Sequence, residues 1–403
     1  MFFTTNGGFS EQEKRDLATF PKLSETSMEE FFDGEYFSKI GDFYKDNFVH
    51  RQEFLALSDT IDKFKGIDTG IKMTVAANNK PTEDINNTES EEQKTQEDDS
   101  QADEELNNAK VERVGALLSI DNMVCEAYGF NEPTVNEYAE VIKKFGDTLT
   151  NSHVYNVLVP THVEFALPPK YKKLSAEQKP VIDLVFSNIG DNVTPVDTYS
   201  ILKEHRNEYI YFRSDHHWTQ LGAYYAYTEF CKAAGLEPVD INDYETEKVE
   251  DFLGTYYSAS KEEKLREDPD YVEYRPVGGD LVATIYQNSA LTKSFEYSPY
   301  SDYSKGANAY GVFLHGDNPL TVIKNPEVTT GKKAVVIKES YGNAFAPFLT
   351  QNYSELYVID MRYFNDNLKG FVDKHQIDDV IFINNMVAVG SQARVDELKK
   401  LLG

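Results

Sequence analysis

Apolar residues fall in short unbroken runs through the C-terminal part of this chain and in looser helical spacing near its start. The runs are "VYNVLVP" (Val154–Pro160), "TPVDTY" (Thr194–Tyr199), "KAVVIKES" (Lys333–Ser340), "ELYVID" (Glu355–Asp360) and "DDVIFINN" (Asp378–Asn385). They are strand-length, lack the alternation of a half-exposed strand, and have helical stretches between them. That pattern predicts an α/β three-layer domain around a parallel sheet covered on both faces. "VGALLSIDNMVCEAYG" (Val114–Gly129) predicts a short hairpin, and "SILKEHR" (Ser200–Arg206) a short helix. "SDHHWTQLGAYYAYTEFCKAAG" (Ser214–Gly235) reads as one helix with Gly235 at its end.

Elsewhere the pattern weakens. Residues 11–68 read as mostly helical, with Phe31, Phe32, Phe37, Ile40, Phe43 and Phe48 at helical spacing, broken by Gly34 and Gly41. The stretch from Thr246 to Pro326 is irregular and rich in tyrosine. Residues 78–108 are polar, acidic and free of aromatics, a composition that cannot bury enough surface to fold alone. The predicted organisation is an N-terminal helical segment (1–77), an acidic disordered insertion (78–110) and an α/β domain (111–403).

The 403 residues carry a formal net charge of −28. Between Glu83 and Asn108 there are eleven acids and one base, Lys94, so that stretch holds −10 of the total. An acidic chain without clustered Lys and Arg is a poor ligand for nucleic acid or anionic lipid. The only cysteines, Cys125 and Cys231, form no CxxC motif and no Cys/His cluster, which excludes a thiolate zinc site. They read as buried apolar residues, in keeping with the cytoplasm or with a bacterial surface protein lacking disulfides. No run of 18 apolar residues occurs, and the N-terminus lacks a signal-peptide layout. Tyrosine (26) and phenylalanine (25) are abundant. Exposed tyrosines can form sugar-stacking platforms, although most such rings belong to cores.

Two places carry candidate chemistry. Ser340 directly follows the run "AVVIK", with Gly342 two residues on and a helix expected next. A hydroxyl at such a strand–helix turn lies where functional groups collect in α/β sheets, beside N–H groups able to hold an oxyanion. The alternative is a serine that merely caps the helix. Asp215 and His217 stand two apart, which suits a base and the carboxylate that fixes its tautomer. The alternatives are a polar helix start or a metal site. A metal site would need a further ligand, and His315 is the one tempting candidate.

"SDHHWTQLGAYYAY" (Ser214–Tyr227) closely resembles the signature of the DHHW family of Gram-positive bacteria. It is also similar to the Asp-x-His-Trp-Thr motif of the SGNH-like alginate O-acetyltransferases. In that group Asp-x-His precedes the serine, a permutation of the SGNH-hydrolase order. Here too Asp215 and His217 precede Ser340 in "VIKESYGNAFAPFL". "SELYVIDMRYF" (Ser354–Phe364) looks like the same group, and the resemblance covers roughly 150–403 plus "LATFPKLS" (Leu17–Ser24).

The resemblance implies an SGNH-hydrolase-like domain with Ser340 as nucleophile, His217 as general base and Asp215 as orienting acid. His216 then occupies a variable position, Trp218 packs on the His217 ring, and Thr219 and Gly222 serve the helix start. Asn343, Asn384 and Asn385 are the candidate oxyanion donors. Arg362 is a candidate for holding a polar substrate group, and Tyr341 lies in the serine turn. The usual Gly-Asp-Ser start of the serine block is here Lys338-Glu339-Ser340. The implied activity is acetylation of a cell-surface or secreted polysaccharide through an acetyl-serine, without metal or diffusible cofactor. A membrane O-acyltransferase would supply acetyl groups, and the location would be extracytoplasmic, at the cell surface or anchored in the full-length protein. An acetylesterase of the same fold, or a non-catalytic polysaccharide-binding protein, is the alternative.

The acidic composition generates a first prediction. Deleting Glu83–Asn108 leaves the melting temperature unchanged by scanning calorimetry; a clear drop would show that the segment contributes to the fold.

Overall fold

The computed structural model describes residues 109–403 except 115, together with 8–10, 15–17, 19, 20, 22, 39 and 43. The acidic stretch 78–108, and most of the N-terminal segment predicted to be helical, lie outside the described residues. The chain divides into two compact units, Met1–Thr74 and Val75–Gly403.

In the first unit, β1 (Gly8–Ser10) pairs antiparallel with β2 (Arg15–Leu17). Residues 15–17 are therefore strand inside a stretch whose spacing reads as mostly helical. Three residues are too few to display a period of their own, and pairing with β1 defines them.

The second unit opens with β3 (Val111–Val114), β4 (Leu117–Ile120) and β5 (Met123–Glu126). The predicted hairpin is the β4–β5 pair, and β3 adds a third antiparallel strand. In chain order there follow α1 (Glu132–Thr148), β6 (His153–Val159), α2 (Lys179–Asn188), β7 (Val193–Asp197), α3 (Tyr199–Glu204) and α4 (Gln220–Ala234). Next come β8 (Glu247–Phe252), α5 (Thr255–Ser260), β9 (Asp270–Tyr274), β10 (Ala283–Tyr286), β11 (Ser294–Tyr297) and β12 (Leu320–Lys324). The chain ends with β13 (Lys333–Lys338), α6 (Gly342–Phe345), β14 (Glu355–Asp360), α7 (Leu368–His375), β15 (Asp379–Asn385) and α8 (Gln392–Lys400).

Eight strands form one sheet in the order β11–β10–β12–β14–β13–β15–β6–β7. The five from β14 to β7 are parallel. β12, β10 and β11 extend the sheet antiparallel. The sheet is thus mixed rather than wholly parallel, and the tyrosine-rich stretch predicted to be irregular contains β8 through β12. These strands are short and partly exposed, as in the buried–intermediate alternation of β10, so they lack the continuous apolar run that marks a strand covered on both faces.

Strand alternation assigns the two covering layers. Val157, Val336, Val358 and Ile381 pack into a core with Ala223, Tyr227 and Phe230 of α4. Leu158, Val335, Tyr357 and Phe382 face the opposite way, against Ile142 and Phe145 of α1, Ile182 of α2 and Leu398 of α8. Both faces being dry, each central strand reads as nearly continuous apolar sequence.

Helix α4 begins at Gln220, not at Ser214. Thr219 is its N-cap, its hydroxyl accepting from Gly222 N at 3.3 Å, and Gly235 ends it with φ 65°. Residues 214–218 instead form a loop closed by an antiparallel bridge between Tyr211 and Trp218. Their polar side chains bond to one another and to partners elsewhere in the fold rather than in a helical turn.

Gly222 packs so closely that an added Cβ would lie 2.5 Å from the Ile210 carbonyl oxygen. Alanine gains about 1 kcal/mol of helix propensity, but displacing backbone in a packed core costs about 1–3 kcal/mol. Gly222→Ala is therefore expected to lower the urea midpoint; an unchanged or higher midpoint would show that α4 can shift without cost.

Candidate active site

The loop that carries the histidines is held by two buried carboxylates. Asp270, in β9, accepts from Ser214 N and Ser214 Oγ, both at 2.6 Å, from Tyr209 Oη at 2.8 Å and from Arg213 Nε at 3.1 Å. Asp215 points inward and takes four donors. Its Oδ1 accepts from His217 N (3.1 Å) and the His217 ring at Nδ1 (2.5 Å), its Oδ2 from Thr255 N (2.7 Å) and Thr255 Oγ1 (2.9 Å). A buried carboxylate is tolerated only when its lone pairs are filled in this way. Gly254 makes room for it, because a Cβ there would collide with the Asp215 side chain.

With Nδ1–H directed at Asp215, His217 presents Nε2 as an acceptor. Nε2 lies 2.7 Å from Ser340 Oγ. The three side chains, with Asp215 and His217 buried and Ser340 partly so, form one hydrogen-bonded chain from carboxylate to imidazole to hydroxyl. Ser340 follows β13 and Asn385 ends the adjacent β15, so the group sits at the C-terminal edge of the parallel sheet.

The His217 ring is stacked on Tyr310, with centroids 3.8 Å apart and planes 9° from parallel. Tyr310 Oη donates to Ser340 O at 3.0 Å, so one tyrosine touches both base and serine turn. Trp218 does not take the expected place on the His217 ring. Its indole is fully buried against Tyr341, 5.4 Å between centroids, and its Nε1 donates to Tyr341 O at 3.0 Å. His216 is half-buried, with Nδ1 2.7 Å from Thr255 Oγ1.

The serine turn rests on residues that spacing did not reveal. Glu339 Oε2 accepts from Tyr341 N at 3.0 Å, and its Oε1 accepts from Asn385 N (3.0 Å) and Asn385 Nδ2 (3.1 Å). Lys338 is fully buried and pairs with Asp360 at 2.8 Å and Asp317 at 3.2 Å. Arg362 pairs with the same two acids, its Nη2 2.6 Å from Asp360 and 2.7 Å from Asp317. Partial burial pushes the Asp317 carboxyl up, but Lys338, Arg362 and the Asn343 amide outweigh it and hold the group well below the usual carboxylate range.

The remaining candidates divide accordingly. Asn384 faces the opposite layer, its Oδ1 accepting from Tyr138 Oη at 2.9 Å, and so lies away from Ser340. Asn385 braces Glu339 and caps the following turn through Ala388 N at 3.0 Å. Arg362 is committed to its two acids. Tyr341 Oη donates to His216 O, tying the serine turn to the histidine loop. Asn343, buried in α6, donates through Nδ2 to Asp317 Oδ1 at 2.9 Å, and its Oδ1 has no hydrogen-bond partner among the described residues. The Asp317 acceptor fixes which way this amide faces.

Asp215, His216 and His217 have ligand atoms within 4.8 Å of one another. They fit a metal poorly, because a cation would have to break the Asp215–His217 hydrogen bond, and Nε2 already faces Ser340. His315 lies elsewhere, with Nδ1 2.6 Å from Tyr303 Oη and Nε2 2.8 Å from Ser298 O.

Thr255, Asp270, Tyr310 and Asp317 escaped the sequence reading because nothing local marks them. Glu339 carried a signal, as the departure from Gly-Asp-Ser beside the serine. Lys338 was equally visible, and Gly342 accommodates it: a Cβ on Gly342 would lie 2.5 Å from Lys338 Cβ.

The DHHW protein family model matches residues 96–359. The crystal structure of a DHHW family protein from Eubacterium siraeum is 31% identical, with a TM-score of 0.67, covering 73% of this chain and 98% of that one. Bacillus cereus PatB1, solved with a sulfonyl adduct, is 17% identical with a TM-score of 0.58, covering 69% of this chain and 98% of its own. Curated proteins yield no match.

The packing of Gly254 on Asp215 yields a prediction. Gly254→Ala pushes the carboxylate off His217, so the low-field imidazole proton resonance of the Asp215–His217 pair disappears from the proton NMR spectrum, with a loss of about 1–3 kcal/mol in stability. An unchanged resonance would mean that the loop absorbs the methyl group.

Proposed function

The chain belongs to the DHHW family, and from that premise we propose that it is a serine-dependent O-acetyltransferase acting on a polysaccharide through an acetyl-Ser340 intermediate. The observation that carries this reading is the Asp215–His217–Ser340 chain, with 2.5 and 2.7 Å links. Both lie at or near the hydrogen-bond reach that proton transfer demands. The likeness of the Asp-x-His-Trp-Thr motif to alginate O-acetyltransferases, and its order before the serine, supports an acetyl donor and a glycan acceptor. The same likeness supports an SGNH-like architecture, an extracytoplasmic location and a membrane O-acyltransferase as the source of acetyl groups.

In the first half-reaction His217 Nε2 takes the hydroxyl proton as Ser340 Oγ attacks the acetyl carbonyl carbon. The imidazolium is stabilised by Asp215 on one side and by the face of Tyr310 beneath it. Asn343, its amide steered by Asp317, is the side chain we assign to the carbonyl oxygen as charge develops there. The tetrahedral adduct collapses, the leaving group takes the proton from His217, and acetyl-Ser340 remains. In the second half-reaction a sugar hydroxyl gives its proton to His217 and attacks the acetyl carbon. Collapse returns the proton to Ser340 Oγ and releases the O-acetylated sugar. Water in place of the sugar would give an esterase, so the partition between acceptors defines the activity.

PatB1 has been solved with a sulfonyl adduct, which suggests a direct test. Phenylmethylsulfonyl fluoride is expected to add one sulfonyl group to Ser340, read by peptide mass spectrometry, and none to Ser340→Ala. An activated acetyl ester is expected to give an acetyl-Ser340 burst, with Asp215→Asn reducing turnover about 10⁴-fold through the wrong imidazole tautomer. Absence of both adducts in the wild-type chain would reduce the triad to a structural contact and favour a binding protein.

A further inference from the structure

The tyrosine-rich stretch is only partly absorbed by the core. Among the described residues of the second unit, the large apolar side chains left exposed are Val282, Tyr297, Tyr303 and Tyr363, the tyrosines at 39%, 59% and 42%. The three tyrosines are not scattered. Tyr297 and Tyr303 pack around His315, their ring centroids 5.3 and 5.4 Å from its imidazole. Tyr363 has its ring 5.3 Å from the Arg362 guanidinium, which is in turn ion-paired to Asp317.

One short loop joins these groups to the serine. Tyr310, at its start, stacks on His217 and donates to Ser340 O. His315 follows, and then Asp317, which holds Asn343 three residues after Ser340. His315 and Asp317 are two residues apart, so their Cα atoms are within about 7 Å. The loop is built with care. Leu314, His315 and Gly316 all take positive φ (56°, 59° and 81°), a conformation that two L side chains adopt only when the surroundings compel it. Here both His315 nitrogens are used, by Tyr303 Oη and Ser298 O, and burial lowers the imidazole's basicity, so the ring stays neutral. Strain of this kind persists where it serves placement, and what it places is two exposed aromatic rings around His315, two residues before Asp317.

We propose that Tyr297, Tyr303 and Tyr363 are stacking platforms for the rings of an uncharged or amino-bearing polysaccharide that crosses the Ser340 turn. This deepens, and rests on, the reading of that site as an acetyl-transfer centre for a glycan. A pyranose ring presents an apolar C–H face to the electron-rich face of an aromatic ring, while its hydroxyls stay in water. A tyrosine whose rim is wet suits both demands. The charge class follows from the acidity of the chain, which still carries −18 outside residues 83–108, and from Asp302, exposed beside Tyr297 and raising the basicity of its phenol. A polyanion would be repelled along this route.

Calorimetric titration of the full chain with cellohexaose, the chitosan hexamer and hexagalacturonic acid tests the proposal. One or both of the first two are expected to bind, and the third not. Tyr303→Ala and Tyr363→Ala are each expected to weaken that binding about fivefold or more, and Tyr303→Phe, which keeps the ring, to retain it. Failure of both uncharged and amino-bearing hexamers to bind, tighter binding of the polyanion, or wild-type affinity in the alanine variants would overturn it. Equal losses in Tyr303→Phe and Tyr303→Ala would also do so, by assigning the effect to the His315 hydrogen bond. Sulfonyl labelling of wild-type Ser340 in the same preparation separates the two readings. Labelling without glycan binding defeats the platforms alone. Binding without labelling defeats the acetyl-transfer centre and leaves a glycan-binding surface.

Discussion

The site depends on keeping the Asp215 carboxylate buried without leaving any of its lone pairs empty. Removing an ionised carboxylate from water is costly unless the protein replaces its hydration shell. Four donors do so, two from His217 and two from Thr255. Satisfying this one group draws two segments together and orients a ring. The histidine loop must turn inward, the chain before α5 must approach without a Cβ at Gly254, and the imidazole must be oriented with Nε2 outward. Ser340 then meets the only nitrogen of that ring still available. Asp270 repeats the device one layer out, holding Ser214 and Arg213 so that the loop cannot relax into the helix its composition suggests.

Below the serine a second set of charges, with Lys338 and Asp360 fully buried, does a different job. Lys338 and Arg362 share Asp360 and Asp317. Buried ion pairs add little net stability, since desolvation consumes much of the attraction, but they admit few alternative geometries. The network therefore sets the position of the Asp317 carboxylate, and through it the Asn343 amide. Glu339 fixes the other side of the turn to the end of β15. The departure of this chain from Gly-Asp-Ser is thus compensated, a lysine side chain fitting where Gly342 leaves room.

Legibility along the chain follows burial. The runs at β6, β13, β14 and β15 were readable because both faces of those strands are covered, so every position is apolar. The antiparallel strands β10 to β12 at one end of the sheet were not, because a partly exposed strand of four or five residues mixes polar and apolar positions and is defined by its antiparallel neighbour. The stretch from Ser214 misled for a related reason. Its residues have acceptable helical composition, but Ser214 and Asp215 are claimed by Asp270 and Thr255, 56 and 40 residues away. Trp218 likewise went to Tyr341 rather than to His217 because the indole N–H needed a buried carbonyl.

The sequence by itself determined the chemistry available: a carboxylate and an imidazole two residues apart, a serine after an apolar strand, and more tyrosine than a core needs. Those follow from residue identity and short-range spacing, which any reader of the chain possesses. Only the tertiary structure decided how they combine. His217 and Ser340 are 123 residues apart and meet at 2.7 Å. Of the three asparagines, one turns to the opposite layer, one braces Glu339 and one is held by Asp317 with its Oδ1 unpartnered among the described residues. Among the described residues the tyrosines left exposed are Tyr297 and Tyr303, around His315, and Tyr363, beside Arg362. Each of these outcomes turns on partners far away in the chain, because hydrogen bonds and ring contacts act over a few ångströms of space and are indifferent to sequence distance.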